Sequence, residues 1–136
     1  MRIETRARAR VLQALYAWDV SGSTNLQRSA ELIWDDLAIG PAQRAFAEPL
    51  IRILMTQQAS IDAQLADVTT NWRLERIGTI ERCVLRMAAA ELTLGSAPPL
   101  VVIQESVTLA ERFGSPASAK FVNGVLDALA RRMALI

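Results

Sequence analysis

The segment from residue 113 to residue 127 constrains the fold of this chain more than any other. Gly114 has the character of a helix C-terminal cap, Ser115 of the next N-cap, and Pro116 of a first helical position. Apolar residues then recur at helical spacing, which predicts a helix from Pro116 towards Met133. A helix boundary followed by a new amphipathic pattern indicates helices that pack on one another.

The dipeptide Asn123-Gly124 interrupts this helical pattern, although Asn-Gly is typical of hairpin turns. A glycine inside a helix costs about 1 kcal/mol relative to alanine. That cost indicates close approach of a backbone, a side chain or a ligand at Gly124. From the residues alone, tight helix packing is the favoured explanation.

The rest of the chain is also periodic at helical spacing, and no segment has a convincing strand pattern. The other predicted helices cover residues 6–20, residues 26–38, a third segment that contains Pro49, residues 74–94, and a fifth segment that ends at Phe113. Thr5 is a candidate N-cap for the first helix, which is predicted to stop at Ser21-Gly22-Ser23. Pro49 either kinks the third helix or marks its start, and residues 95–99 form the clearest break. The predicted fold is all-α, a compact bundle with short connections.

The composition is that of a folded protein with few of the usual catalytic groups. With 136 residues, 51% of them apolar, one domain covering residues 1–136 is the simplest organisation. The chain has no histidine and a single cysteine, Cys83, so common zinc sites and acyl-transfer sites lose their ligands and bases. It has no glycine-rich phosphate loop. We therefore expect no enzymatic activity, no catalytic residues, no metal and no cofactor.

The sequence also favours a cytoplasmic protein. No apolar run is long enough to span a membrane, and no hydrophobic signal core follows the basic N-terminal residues. A lone cysteine excludes an internal disulfide and fits a reducing compartment.

Positive charge is concentrated at the N-terminus, although the net charge is only +1. On a helical wheel Arg6 and Arg10 point away from the apolar arc, and Arg8 lies at its flank. Arginines placed in this way can contact successive phosphates, whereas composition alone favours an ordinary solvated terminus. Tyr16 lies between the two faces and either stacks on a base or packs at the edge of the core, with core packing favoured.

The last predicted helix presents a second candidate surface. Lys120 and Asn123 share its polar face, and Phe121 lies at the boundary close to Gly124. An aromatic ring beside an amide and a cation suits base stacking, while half-buried core packing explains the same pattern equally well.

Glu81 is the most unusual charge, because it projects from the apolar stripe of the predicted fourth helix. A buried carboxylate needs a partner. That partner is either an arginine of another helix, which the residues alone favour, or a second protein that covers a partly exposed stripe. Arg82 and Arg86, four residues apart on the opposite face, are predicted to be solvated.

Taken together, these segments resemble the NusB family of bacterial transcription antitermination factors, over nearly the whole chain and in the right order. The matching segments are Arg6-Ala7-Arg8, Gln13-Ala14-Leu15-Tyr16-Ala17-Trp18, Asn71-Trp72-Arg73-Leu74-Glu75-Arg76-Ile77, Glu81-Arg82-Cys83-Val84-Leu85-Arg86-Met87-Ala88, Glu91-Leu92, Pro99, Val102-Ile103-Gln104-Glu105, Leu109-Ala110-Glu111-Arg112-Phe113-Gly114 and Lys120-Phe121-Val122-Asn123-Gly124-Val125-Leu126-Asp127. The last of these segments is specific, whereas the arginine segment alone would not be.

The resemblance implies an all-helical fold of two packed three-helix subdomains and a non-enzymatic, RNA-binding role. NusB-like proteins pair with the small-subunit ribosomal protein also called NusE, and the heterodimer recognises a boxA element in nascent RNA. The complex joins elongating RNA polymerase with other Nus factors and favours antitermination during ribosomal RNA synthesis.

The resemblance also assigns roles to particular residues. The residues it assigns to RNA binding are Arg6, Arg8, Lys120 and Phe121, and Arg10 on the same helix as the first two completes the candidate RNA-binding set. Tyr16 and Glu81 would contact the ribosomal partner, which favours an interface role for Glu81 over an internal pair. Two departures limit the transfer of roles. Glu4 and Thr5 replace arginines of the most basic members, and Ala117 replaces an acidic residue of some members, so no role of that acid carries over.

Two alternatives remain open at this point. A similar helical domain precedes the catalytic domain of some RNA cytosine methyltransferases, but this chain lacks room for a methyl-donor-binding domain. A self-associating helical module is the other alternative, in which Glu81 would pair across a homodimer.

Overall fold

The computed structural model describes residues 2–22, 24–69 and 73–136. Within these ranges the chain folds into the helices α1 (Ile3–Ser21), α2 (Leu26–Asp36), α3 (Pro41–Val68), α4 (Thr79–Leu94), α5 (Pro99–Phe113) and α6 (Pro116–Arg132), with a 3₁₀ turn (Leu74–Arg76) before α4. The described residues contain no strand, so the predicted all-α fold is confirmed. None of the described helices is long and apolar enough to cross a membrane. α1 ends at Ser21 and Gly22 caps it with a φ of 69°, which confirms the predicted stop. Ser23, the third residue of that stop, and the pair Asn71-Trp72 lie outside the described residues.

The helices form two groups of three that share one core. α1, α2 and α3 pack on one another, as do α4, α5 and α6, and α4 also packs against α1 and α3. Buried apolar residues from all six helices form a continuous cluster, in which Trp34, Leu50 and Met87 are among the largest fully buried side chains. Full burial of one such aliphatic side chain is worth about 1.5–3 kcal/mol. The two packed three-helix subdomains are therefore confirmed, with α4 as the helix that joins them.

Local sequence signals set several of the helix ends. The Ser115 hydroxyl accepts a hydrogen bond from the Ser118 N–H at 3.1 Å and caps α6, as predicted. At the end of α5 the Gly114 N–H donates to the Ala110 carbonyl at 2.9 Å. Gly95 ends α4 with a φ of 71°, in the left-handed region that favours glycine.

The predicted cap at Thr5 is wrong. α1 begins at Ile3, so Thr5 lies inside its first turn, and the hydroxyl of Thr5 donates to Glu105 Oε1 on α5 at 2.6 Å. Arg2, the residue in the N-cap position, makes no side-chain capping hydrogen bond. A tertiary contact, rather than a cap, thus holds this end of α1.

The boundaries of α2 and of the fourth predicted helix also differ from the predictions. α2 ends at Asp36 rather than at Ala38, whose φ of 53° is incompatible with continuing the helix. The segment predicted as one helix over residues 74–94 starts as the 3₁₀ turn, and α4 begins at Thr79 with Gly78 in the N-cap position.

Pro49 neither starts nor visibly breaks α3. This helix begins at Pro41, and the non-helical backbone inside it is at Gln57, with φ −126° and ψ 21°. Pro49 lacks an N–H for the helical ladder. Leu50 and Ile51 beside it are fully buried, and their packing offsets the missing hydrogen bond.

Gly124 does not mark a close approach within the chain. It is exposed on α6, and a Cβ placed there would have no heavy atom within 4 Å. The expectation of tight helix packing is therefore wrong. The glycine instead leaves a notch beside Lys120 and Phe121, which line a cavity of about 460 Å³ with it.

Arg82 and Arg86, predicted to be solvated, are both paired. Arg82 donates to Asp19 Oδ2 on α1 through Nη2 at 2.6 Å, and to the Ile77 carbonyl through Nη1 at 2.7 Å. Arg86 donates to both carboxylate oxygens of Asp62 on α3, at 2.9 and 3.1 Å. The prediction fails because α1 and α3 cover the face of α4 opposite its apolar stripe.

Candidate nucleic-acid interface

The three predicted RNA-binding arginines of α1 lie in different environments. Arg6 is exposed, Arg10 is half-buried, and the side chain of Arg8 is 3% exposed. Arg10 Nη1 donates to Gln13 Oε1 on the same helix at 3.0 Å, and Arg10 Nε is buried without a hydrogen-bond partner among the described residues. Of the three, Arg6 is the one whose side chain is open to solvent.

Arg8 is held by two glutamates of the C-terminal subdomain. Its Nε donates to Glu91 Oε1 at 2.8 Å and its Nη2 to Glu91 Oε2 at 2.5 Å, in a bidentate pair. Its Nη1 donates to Glu105 Oε1 at 3.0 Å, the oxygen that also accepts from Thr5. The ring centroid of Phe46 lies 5.0 Å from the guanidinium carbon. We call these five residues the Arg8 network; it joins α1 to α3, α4 and α5.

The electrostatics of the Arg8 network keep the arginine charged. Burial lowers the pKa of Arg8, but the hydrogen bond to Glu91 and the charges of Glu91 and Glu105 outweigh it, so that the pKa is raised overall. The placement of Arg8 at the flank of α1 is therefore wrong. Its predicted contact with RNA phosphates gains no support from this position, because its donors face carboxylates.

Glu91 and Glu105 were absent from the predicted site residues, although the sequence carried a signal for one of them. Glu91 follows Ala88 by three residues and Met87 by four, so it lies on the buried stripe of α4. Arg8 precedes Leu12 by four residues and lies on the inward face of α1 with it. Nothing local marks Glu105, because its role depends on where α5 packs.

Lys120 and Phe121 lie together at the start of α6. Lys120 is exposed and Phe121 is half-buried. Phe121 lines both the cavity beside Gly124 and a second cavity of about 210 Å³, which Glu81 also lines. The ring therefore lies between two cavities, next to an exposed cation, where a planar group can contact it.

Glu81 is partnered by a hydroxyl rather than by an arginine. Its Oε1 accepts from Ser118 Oγ at 2.6 Å, and the described residues include no ion pair with it. The internal arginine pair favoured from the residues alone is therefore wrong. The other carboxylate oxygen lies over Gly78, where a Cβ would clash with it, so the glycine leaves room for the folded-back side chain. Glu81 is half-buried and lies in the first turn of α4, where a negative charge suits the helix dipole.

Tyr16 lies at the surface near the start of α4 and is not a buried core residue. It is 43% exposed and lines a groove of about 370 Å³ with apolar neighbours that include Ile80 and Phe113. Ile80 directly precedes Glu81 on α4. The structure thus brings the two predicted partner-binding residues to the same end of α4, and the core-packing interpretation of Tyr16 is wrong.

The predicted RNA-binding residues do not form one compact patch. Arg8 contacts Glu91 near the C-terminal end of α4. The start of α6 instead contacts Glu81, which lies in the first turn of α4. The ten residues from Glu81 to Glu91 correspond to about 15 Å along the helix axis. A ligand that reached both regions would have to be extended, as a strand of nucleic acid is.

These surfaces are those of a helical binding module. They comprise the basic start of α1, an aromatic ring beside a lysine on α6, and an apolar groove beside a carboxylate at the start of α4. The model of the NusB family matches residues 5–131, and the chain belongs to that family. NusB proteins are non-catalytic transcription antitermination factors, in agreement with the prediction that this chain is not an enzyme.

Individual relatives support the same family. The chain is 40% identical over 129 residues to the transcription antitermination protein NusB of Anaeromyxobacter dehalogenans (strain 2CP-1). The matched residues cover 93% of this chain and 89% of that protein. The chain is 37% identical over 133 residues to the NusB protein of a Nitratiruptor species, covering 98% and 95%. It also matches a crystal structure of the antitermination factors NusB and NusE in complex with dsRNA, with a TM-score of 0.89 and 28% identity over 97% of this chain and 98% of that one.

Proposed function

We propose that this protein is a transcription antitermination factor that binds boxA-type RNA together with NusE. In this function it joins elongating RNA polymerase with other Nus factors during ribosomal RNA synthesis. Membership of the NusB family and the match to a NusB–NusE complex with RNA support the proposal. The observation that carries it is the match along almost the full length of that structure. Residues 1–136 act as one RNA-binding domain in the cytoplasm, where the lone buried thiol of Cys83 stays reduced.

RNA contacts are proposed at two places. Arg6 provides an exposed cation for phosphate at the start of α1, and Lys120 provides another at the start of α6. Phe121 provides a ring face for a base beside the notch at Gly124. Phosphate contacts supply salt-dependent affinity, whereas stacking tolerates many sequences, so boxA preference requires further contacts to base edges.

The NusE contact is proposed at the start of α4, where Glu81 lies and where Tyr16 of α1 lines a groove with Ile80. The apolar groove at Tyr16 offers exposed ring surface, and the partly exposed Glu81 offers a negative charge beside it. A partner surface with apolar side chains and a cation would be complementary to this arrangement.

The test is binding to boxA RNA and to a scrambled RNA, with and without NusE, across a salt series. We expect tighter binding to boxA and a further gain with NusE. Weak and equal binding to both RNAs in the presence of NusE would contradict the proposal. So would an RNA-indifferent homodimer in sedimentation, which is the result expected of a self-associating module.

Replacing Arg6 with alanine is expected to weaken binding to both RNAs by a similar factor. It should also reduce the slope of log K against log salt by about one, because one phosphate contact is lost. Arg52, an exposed arginine of α3 outside the proposed surfaces, provides the matched control. Arg52→Ala should leave affinity and slope unchanged, and an unchanged slope in Arg6→Ala would argue against phosphate contact there.

A further inference from the structure

We propose that Arg8 is a positioning residue for RNA binding: it fixes the basic start of α1 against α4 and α5 and does not itself contact phosphate. The proposal rests on the RNA-binding function proposed above. It assigns to the Arg8 network a role distinct from that of the other N-terminal arginines.

Three of the five N–H donors of the Arg8 guanidinium are already used by carboxylates. All three guanidinium nitrogens donate to carboxylates, two to Glu91 and one to Glu105. Phe46 faces the guanidinium at 5.0 Å, and the side chain is 3% exposed. A phosphate that bound Arg8 would have to displace Glu91 and leave a fully buried carboxylate without its counter-charge, which is strongly unfavourable.

The charge of the Arg8 network also disfavours phosphate. One arginine is opposed by two glutamates, Glu91 and Glu105, so its formal charge is −1. Phosphate approaching this part of α1 would be attracted by Arg6 and repelled by the network behind it. Arg8 is thus neutralised by carboxylates, whereas Arg6, two residues away in sequence, is exposed and forms no ion pair among the described residues.

The geometry links the Arg8 network to the orientation of Arg6. Thr5 and Arg8 are three residues apart, so they lie on one face of α1, and both donate to Glu105 Oε1. Arg6 lies between these two anchors in sequence and projects to solvent. Because the N-terminus of α1 has no side-chain cap, the anchors are what keeps its first turns from fraying.

The experiment compares Arg8→Met with Arg6→Ala and with Arg86→Met. Arg86 on α4 also makes a largely buried bidentate pair, with Asp62. This pair lies beside Trp18, at the opposite end of α1 from Arg8. Arg86→Met is therefore the matched control for the loss of an ion pair. Affinity for boxA RNA is measured over a salt series at a temperature where circular dichroism shows each variant folded. Hydrogen exchange of the amides in the first turns of α1 is measured in parallel.

We expect Arg8→Met to raise the apparent Kd about tenfold, because only a fraction of molecules hold the first turns of α1 in the binding geometry. Its salt slope should stay that of the wild type, and exchange at residues 6–8 should accelerate. Arg86→Met should lose stability while its Kd stays within about twofold. Thr5→Val, which removes only one anchor, should show a smaller loss with the same unchanged slope, and it serves as the test if Arg8→Met does not fold.

Three outcomes would overturn the proposal. A salt slope reduced by about one in Arg8→Met would show a phosphate contact. An unchanged Kd in Arg8→Met or Thr5→Val would show that the network is merely structural. An equal loss of affinity in Arg86→Met would show a general effect of destabilisation. Failure of the wild type to prefer boxA RNA would instead contradict the proposed function, while the hydrogen exchange would still report whether Arg8 orders α1.

Discussion

Replacing Glu91 with alanine is expected to lower the free energy of unfolding by about 3–5 kcal/mol, the range for breaking a buried ion pair. Glu91 is fully buried and gives both carboxylate oxygens to Arg8, at 2.8 and 2.5 Å. Without it, the buried guanidinium keeps the Phe46 ring and a single carboxylate, that of Glu105, which is itself partly exposed. The measurement is urea unfolding at pH 7, followed by circular dichroism.

Two further variants separate the charge effect from the loss of packing. Glu105→Ala should cost much less than Glu91→Ala, because Glu105 makes one contact with Arg8 rather than two. The double variant with Arg8→Met and Glu91→Leu should recover much of the stability lost in Glu91→Ala, because the one carboxylate left without its arginine, Glu105, is partly exposed to water. A loss below about 1 kcal/mol in Glu91→Ala would mean that water reaches the pair.

Two ion pairs join α1 to α4, one near each end of α1. Arg8, early in α1, pairs with Glu91, late in α4, while Asp19, late in α1, pairs with Arg82, early in α4. The two helices are therefore antiparallel, with pairs of opposite polarity at their two ends. A shift of α1 along α4 would break both pairs at once, so the pairs specify the register between the subdomains while the apolar core supplies most of the stability.

The parts of the fold that were predicted correctly depend on short stretches of sequence. Ser115 acts through its hydroxyl on the N–H of Ser118, three residues away, and Gly95 acts through its own backbone conformation. These local patterns determine where α6 begins and α4 ends. Thr5 has the residue type of a cap, but its hydroxyl is used by Glu105, a hundred residues away in sequence. Residue type alone cannot distinguish these two uses.

The candidate site was predictable in its residue types more than in its geometry. Arg82 and Arg86 lie opposite the apolar stripe of α4, which predicts solvent exposure for a surface helix. α4 is instead the central helix, and which helices cover its second face depends on packing that no local pattern encodes. For Gly124 the sequence predicted packing against a neighbouring helix, but the glycine faces solvent.

Replacing Glu81 with arginine is expected to weaken association with NusE by about 2 kcal/mol or more, which corresponds to roughly 30-fold in Kd. The substitution places a cation where the proposed interface carries a carboxylate. It also removes the acceptor of the Ser118 hydroxyl and puts a positive charge in the first turn of α4, so a stability loss of about 1–2 kcal/mol should accompany it. Titration calorimetry with NusE and urea unfolding of the free protein measure the two effects separately.

Ser118→Ala is the matched control, because it removes the same hydrogen bond, together with the one between the Ser118 and Ser115 hydroxyls, and keeps the charge of Glu81. It should cost about 1 kcal/mol of stability and leave the Kd for NusE within about twofold. A large affinity loss in Glu81→Arg with a small one in Ser118→Ala would place Glu81 at the interface. Parallel losses of stability and affinity in both variants would show instead that Glu81 acts inside the chain, by holding the start of α6 against α4.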